Sequence, residues 1–483
     1  MGPSSVTIDK HQTQETVTFL QTIETIMRTH YRSSVFPNEA FPREDWKRLT
    51  DSGLLLSMIP AEYGGRDSHE EICALIEIMA KYNLPLSMYT MIITLLFVRN
   101  VAKYGSQEVK DEVLPLFASQ ALVGGFALTE PQCGSNLARM STVYRQEADG
   151  RYHITGQKHW QAFSVSADWW LIAAKNAENS NEFGYFIVKR SEGFKNVEEY
   201  NALGLKAIDY GRNEIDAYVP AYRRLLVTAE RLDGAIDMLC ASRLSMCAMS
   251  SGFIGRIYEE ATERASQRKI GNGSLQDIAY VQYRLKLIGS GKTVSQALLS
   301  FVTRYNDFRN TLTENFFEAQ AIKALSTDKM LEGALNYQQI CGGEGYRYNA
   351  PNNSAAYALL DSRVYTVFDG TNDLLYQQIT EYCLKQSNGT AINRFLAAYD
   401  KTRFGLKHID FDLSVLNKNE NQAQKVFNGQ IIARIFGLNC LNDVMQLEES
   451  ARPFDYDEYI NAVSFLIADI KKIMVESECF AKI

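Results

Sequence analysis

Ala127–Asn136 reads ALTEPQCGSN, Gly156–Trp160 reads GQKHW and Ala167–Ala174 reads ADWWLIAA, and across these three stretches the chain changes its character. Short runs such as Tyr152–Thr155, Trp169–Ala174 and Tyr185–Lys189 are separated by Asp-Gly, Gly-Gln and Asn-Glu punctuation. That spacing predicts a compact β-domain of six to eight strands over residues 121–232. On either side the pattern is helical. Upstream, in 1–120, Ile72, Leu75, Ile76, Ile78 and Met79 sit close to helical spacing. A PAEYGG turn (60–65) precedes them, and Lys103–Ser119 starts another helix after a Gly-Ser turn. Downstream, 233–385 is helical with one Gly-containing break at 341–352. The tail, 386–483, carries helical patterns at Gln424–Leu447 and Tyr459–Lys472 and a polar connector at Asn417–Gln424. Helices, β-domain, helices and helical tail make an α+β chain.

Composition narrows the function. A chain of 483 residues implies two or three packed domains. Its 50 basic against 57 acidic side chains leave a net charge of −7. That balance argues against a nucleic-acid polyanion, whose binding rests on neutralised phosphates. It leaves room for a phosphorylated small molecule held by a few local Arg or Lys residues. The eight cysteines include no CxxC pair, and the six histidines do not gather beside them. A zinc site or disulfide framework is therefore not expected; reduced thiols fit, and the cytoplasm is the expected compartment. The polar N-terminus MGPSSVTIDKHQTQE has no apolar core, so no signal peptide is expected. The longest apolar run, Met88–Val98, is shorter than the roughly 18–20 residues of a membrane span, so a soluble protein is expected.

Two motifs mislead on first sight. Gly289–Thr293 reads GSGKT, but a phosphate-binding loop needs Gly five residues before Gly291, where Lys286 stands. Cys341–Tyr346 reads CGGEGY; it is not GxGxxG, and no strand–helix–strand pattern surrounds it. Gly342, Gly343 and Gly345 offer instead a turn whose backbone N–H groups approach a pyrophosphate closely.

That turn has company. PAEYGG, TEPQCGS, GQKHW, GLKA (204–207) with Val219-Pro220, QICGGEGY (339–346) and FDGTN (368–372) follow one another in the chain. In this order they resemble the acyl-CoA dehydrogenase family, from about residue 45 to 385. The resemblance implies an N-terminal helical domain, a central β-barrel-like domain and a C-terminal four-helix bundle, with the tail as an addition for packing or oligomer contact. It implies FAD wedged between the β-domain and the C-terminal helices. Phe126, Leu128 and Thr129 would line the isoalloxazine ring and Trp160 would pack against it. Ser135 would lie near the flavin phosphates or the acyl thioester. Arg268 matches an arginine that reaches the FAD diphosphate, commonly across a subunit boundary; Gln339, Gly342 and Gly343 match a second cofactor loop, and Thr371 a contact at the nucleotide end. Arg243 and Gly370 would adjoin the substrate. The residue types suit these tasks: donors and a guanidinium for a pyrophosphate, an aromatic face for a planar ring. A homodimer or homotetramer follows if Arg268 and Gln339 serve a neighbour's cofactor.

The resemblance makes Asp369 the base. It would remove the proton α to an acyl thioester of coenzyme A or of a carrier protein, while flavin N5 accepts the β hydride. A plainer reading makes Asp369 a helix N-cap, since D-G-T-N-D before Leu374-Leu375 suits one. The family usually has Glu here, and Asp is shorter by roughly 1.5 Å, one C–C bond. Asp is found in branches acting on cyclic acyl groups and in nitroalkane oxidases, so a compact, branched or cyclic acyl group is as compatible as a straight one. A branch with its base one helix earlier is excluded by Ser242. Other departures are Gln161-Ala162 for Ile-Thr after the Trp, Lys269-Ile270-Gly271-Asn272 after Arg268, Leu360-Asp361 for Arg-Asp, and Cys240 at a usually polar position. They keep two rivals open: a nitroalkane-oxidase-like flavin oxidase or monooxygenase, and a scaffold without catalysis. The electron acceptor is not legible.

Overall fold

The structure, a computed structural model, describes residues 14–31, 43–134, 136–227 and 233–480. It opens with helices α1 (Gln14–His30), α2 (Arg43–Asp51), α3 (His69–Tyr82), α4 (Leu84–Met91), α5 (Arg99–Tyr104) and α6 (Gln107–Ser119). Side-chain caps start them where the sequence supplies acceptors: Ser68 accepts the Glu71 N–H at 3.1 Å, Asn83 that of Leu86 at 2.9 Å and Ser106 that of Val109 at 3.3 Å. A π-helical stretch, Ile92–Val98, joins α4 to α5. The resulting rod, Leu84–Tyr104, is longer than the apolar run read from sequence. By length and mean hydropathy (1.4) it is long and apolar enough to cross a membrane, and all but its last three residues are buried inside the protein. Its π stretch packs against the first strand of the sheet and the long helix at 233–267.

Seven strands form one sheet: β1 (Gly124–Ala127), β2 (Val143–Gln146), β3 (Tyr152–Ala162), β4 (Trp169–Asn176), β5 (Phe183–Lys189), β6 (Phe194–Tyr200) and β7 (Tyr210–Val219). The order is β1-β4-β2-β3-β7-β6, with β5 on β4. β4 runs parallel to β1 and β2, and the remaining pairs are antiparallel. The β3–β7 register shifts between His159 and Gln161, a bulge that falls on Trp160.

The C-terminal half holds α7 (Asp233–Gln267), the two-residue strands β8 (Lys269–Ile270) and β9 (Gly273–Ser274), then α8 (Ala279–Tyr305), α9 (Phe316–Cys341), α10 (Gly343–Tyr346), α11 (Ala355–Tyr365) and α12 (Asn372–Gln386). The GSGKT stretch lies inside α8, so it makes no loop. Helices α7, α8, α9 and α12 form the bundle, and α3 packs on α7. The tail adds α13 (Ile392–Ala398), α14 (Gln422–Met445) and α15 (Tyr456–Phe480). α14 lies on α8, α9 and α12, and α15 on α8 and α14. Sheet and bundle meet where Gly204 approaches α11. A Cβ on Gly204 would stand 2.2 Å from the Leu360 carbonyl oxygen, so only glycine fits there.

Candidate active site

The FDGTN turn lies between α11 and α12. Asp369 and Gly370 both take left-handed backbone, with φ of 55° and 95°. This tight reversal turns the Asp369 side chain back towards α7, where the Ser242 hydroxyl donates to its Oδ2. Among the described residues no donor reaches Oδ1. One carboxylate oxygen is therefore anchored by a side chain and the other is not. The N-cap of α12 is Thr371, whose hydroxyl oxygen accepts the Leu374 N–H at 3.4 Å. The capping task that the sequence allowed for Asp369 thus falls to its neighbour two residues on, and Thr371 itself is exposed.

Two cations hold consecutive carbonyls of this turn. Arg243 donates from Nε to the Asp369 carbonyl oxygen at 2.9 Å, and Lys323 from Nζ to that of Gly370 at 2.8 Å. Left-handed backbone costs a non-glycine residue of order 1 kcal/mol or more, and charge-assisted hydrogen bonds of about 1.5–3 kcal/mol each offset it. Lys323 also donates to Asn372 Oδ1 at 2.8 Å. Burial pushes the Lys323 ammonium down to about 7; Asp369 and Asp328 oppose that and Arg243 reinforces it. Burial likewise lowers Arg243 and raises the Cys240 thiol to about 12.

A second group of the named residues forms a wall at the end of β1 and in the loop after it. Phe126 and Thr129 are half-buried and Leu128 is buried. Lys158, fully buried on β3, donates to the Leu128 carbonyl at 3.0 Å and to Glu130 Oε1 at 2.9 Å. Glu130 also accepts from Ser141 N at 2.5 Å, Ser141 Oγ at 2.6 Å and Thr142 N at 3.0 Å. Burial alone would raise this carboxyl, but the Lys158 charge and the Ser141 and Thr142 donors outweigh it and hold the pKa at about 2. Gln161 donates to the Thr129 carbonyl at 3.2 Å and accepts from Asn213 at 3.0 Å, so it braces the wall from behind. Ala162 brings no hydroxyl. The bulge gives Trp160 a φ of 61° and leaves it 53% exposed, tilted against Tyr200 at 4.6 Å. The 204–207 loop between β6 and β7 is tied to α11, where Leu205 N–H donates to Asp361 Oδ1 at 2.6 Å. Burial raises Asp361 to about 7 against that one donor.

Arg268, Gln339, Gly342 and Gly343 form a separate group. About 38 Å of helix separates Ser242 from Gln267, and Arg268 follows directly. A Cβ on Gly342 would lie 3.1 Å from the Arg268 guanidinium, and nothing stands within 4 Å of one on Gly343. Arg268, Gln339 and Gly343 are exposed. Ser135 lies outside the described residues. Sequence reading named no role for Ser242 beyond an absent base, and none for Lys158, Glu130 or Lys323. The signal for Lys323 was a lone lysine in the run AQAIKAL, where the flanking apolar residues announce burial.

Comparison with known proteins settles the class. Residues 13–121 match the acyl-CoA dehydrogenase N-terminal domain, 125–217 the middle domain and 232–384 the C-terminal domain. The chain belongs to the acyl-CoA dehydrogenase family, a family of flavin oxidoreductases. It is similar to an acyl-CoA dehydrogenase of Bacillus subtilis (strain 168), 26% identical over 394 residues that cover 77% of this chain and 99% of that one. The human mitochondrial very long-chain specific acyl-CoA dehydrogenase is 24% identical over 341 residues, covering 68% of this chain and 51% of that one. Among solved structures, an acyl-CoA dehydrogenase from Bacillus anthracis complexed with FAD superposes with a TM-score of 0.77 at 17% identity, covering 97% of this chain and 89% of that one. Butyryl-CoA dehydrogenase from Megasphaera elsdenii gives 0.70 at 19% identity, covering 78% and 100%. The first of these likenesses extends through the tail.

The residues present suit FAD. An exposed indole on a bulge offers a flat apolar face. A guanidinium beside an open Gly-Gly turn offers charge and backbone donors to a pyrophosphate.

Proposed function

We propose that this protein dehydrogenates an acyl thioester between its α and β carbons, with Asp369 taking the α proton. The observation that carries the reading is the Asp369 carboxylate, held through one oxygen by Ser242 while the other has no hydrogen-bond donor among the described residues. Phe126, Leu128, Thr129, Ser135 and Trp160 would hold the flavin of their own protomer, with Thr371 at its nucleotide end. Arg268, Gln339, Gly342 and Gly343 would serve the cofactor of a neighbour in a homodimer or homotetramer. The helix length between Ser242 and Arg268 supports that division, because one protomer's base and arginine stand too far apart to serve the same reacting centre. FAD, when bound, supplies the acceptor for the β hydride. The chain's own work is to fix the carboxylate, present the thioester beside Arg243 and Gly370, and receive the proton. On coenzyme A or a carrier protein, a compact, branched or cyclic acyl group is as compatible with the short Asp side chain as a straight one.

The test is anaerobic bleaching of the yellow protein by a panel of acyl thioesters. Asp369→Asn is expected to slow bleaching by about 10²–10⁴-fold while FAD stays bound. Normal bleaching by that variant overturns the assignment. Ala162, without a hydroxyl near the wall, favours a second reading as a flavin oxidase. One fold neighbour, at 17% identity and a TM-score of 0.67, is named as a prolyl acyl carrier protein oxidase. Oxygen uptake with peroxide release supports the oxidase, whereas turnover only with an added electron acceptor supports the dehydrogenase.

A further inference from the structure

The tail meets the bundle through a line of buried and half-buried polar groups that ends at the base turn. In α14, Arg434 is buried; its guanidinium lies 3.8 Å from Asp328 Oδ2 on α9 and 3.5 Å from Asp469 Oδ2 on α15. Asp328 accepts the Tyr376 hydroxyl at 2.5 Å and the Asn372 side-chain amide at 2.7 Å. That amide also donates to Thr327 Oγ1 at 3.0 Å and to the Ala324 carbonyl at 3.1 Å, so its orientation is fixed. Its oxygen then faces Lys323 Nζ, which holds the Gly370 carbonyl. Each link places the next: the arginine balances Asp328, Asp328 turns the amide, the amide aims the ammonium, and the ammonium closes the turn that carries Asp369.

We propose that the C-terminal helical pair is part of the support of the catalytic base, with Arg434 a positioning residue acting through Asp328, Asn372 and Lys323. This rests on Asp369 being the base. Polar networks of this kind work as units, since a buried group stripped of its partner re-orients the next one, and a shift of about 1 Å at a reacting group costs up to roughly 100-fold in rate. Simple tail docking is the competing account. It has its own contacts, such as Arg304 to Asp443 at 2.5 Å between α8 and α14, which lie outside the line to the base.

The test measures flavin reduction by a saturating acyl thioester in the full-length holoenzyme. Arg434→Gln is expected to slow reduction about tenfold, with FAD content retained and the half-saturating thioester concentration changed less than about twofold. Arg434→Lys, which keeps the charge, is expected to recover most of the rate. Asp443→Asn, which loosens α14 elsewhere, is expected to lower thermal stability and leave the rate alone. Wild-type reduction rates in Arg434→Gln, or an equal slowing in Asp443→Asn, would overturn the proposal. Should Arg434→Gln fail to yield yellow folded protein, Asp328→Asn cuts the same line inside the bundle and is judged by the same outcomes. Asp369→Asn run alongside separates the two claims: loss of reduction there with none in Arg434→Gln sinks the support and spares the base.

Discussion

The two ends of α7 differ in where their polar groups turn. At the Ser242–Arg243 end every cation finds an acceptor inside the chain, on the carbonyls of the FDGTN turn. At the Arg268 end the guanidinium, Gln339 and the open Gly343 all face outward. The inner end is closed by contacts within the chain, and the outer end is open to solvent. On the function proposed above, the inner end would set the base by the chain's own packing, and the outer end would meet the cofactor of a second copy.

Variants at the two ends should therefore fail in different ways. The largest effect is expected from a third place, the buried ion pair of the sheet domain. Lys158→Met leaves Glu130 as an unpaired buried charge and should cost about 3–5 kcal/mol of stability, read from denaturant unfolding. The same pair sets an acid limit. Glu130 is held near 2 in the folded chain against an ordinary 4.5, so its contribution is present above pH 4.5 and disappears as pH falls towards 2. Glu130→Gln should flatten that limb of the stability–pH curve. Next comes the outer end. Arg268→Gln should weaken FAD binding by about 1.5–3 kcal/mol, roughly ten- to a hundredfold, read by released flavin fluorescence. It should leave the unfolding of the apoprotein unchanged. An unfolding loss as large as that of Lys158→Met would erase the contrast between the ends. The smallest effect sharpens it: Ser242→Ala removes one donor to Asp369 and should cost about 1 kcal/mol, roughly fivefold in the reduction rate.

The order of helices, sheet and helices was legible because strand punctuation and helical periodicity are local properties. The segment carrying Asp369 was legible for another reason: FDGTN stands in its place in the family's order of motifs. What holds that turn was not legible. Ser242, Arg243 and Lys323 meet Asp369 and Gly370 only through the approach of α7 and α9 to the turn, and nothing local in the sequence encodes those contacts. Arg434 joins from 65 residues beyond Asp369. Nor does GQKHW announce that its Trp faces outward; the β3–β7 bulge decides that. The membrane-length rod Leu84–Tyr104 was underestimated because the polar residues that interrupt its apolar run are themselves buried and hydrogen-bonded, as Thr90 and Thr94 are to the carbonyls of Leu86 and Thr90.

Proton removal can be separated from hydride loss with an acyl thioester that carries α but no β hydrogens. Incubated in heavy water with the holoenzyme, such a compound should exchange its α hydrogens for deuterium, and the Asp369→Asn holoenzyme should leave them in place. Equal exchange by both proteins would contradict the account, because some other group would then be the base.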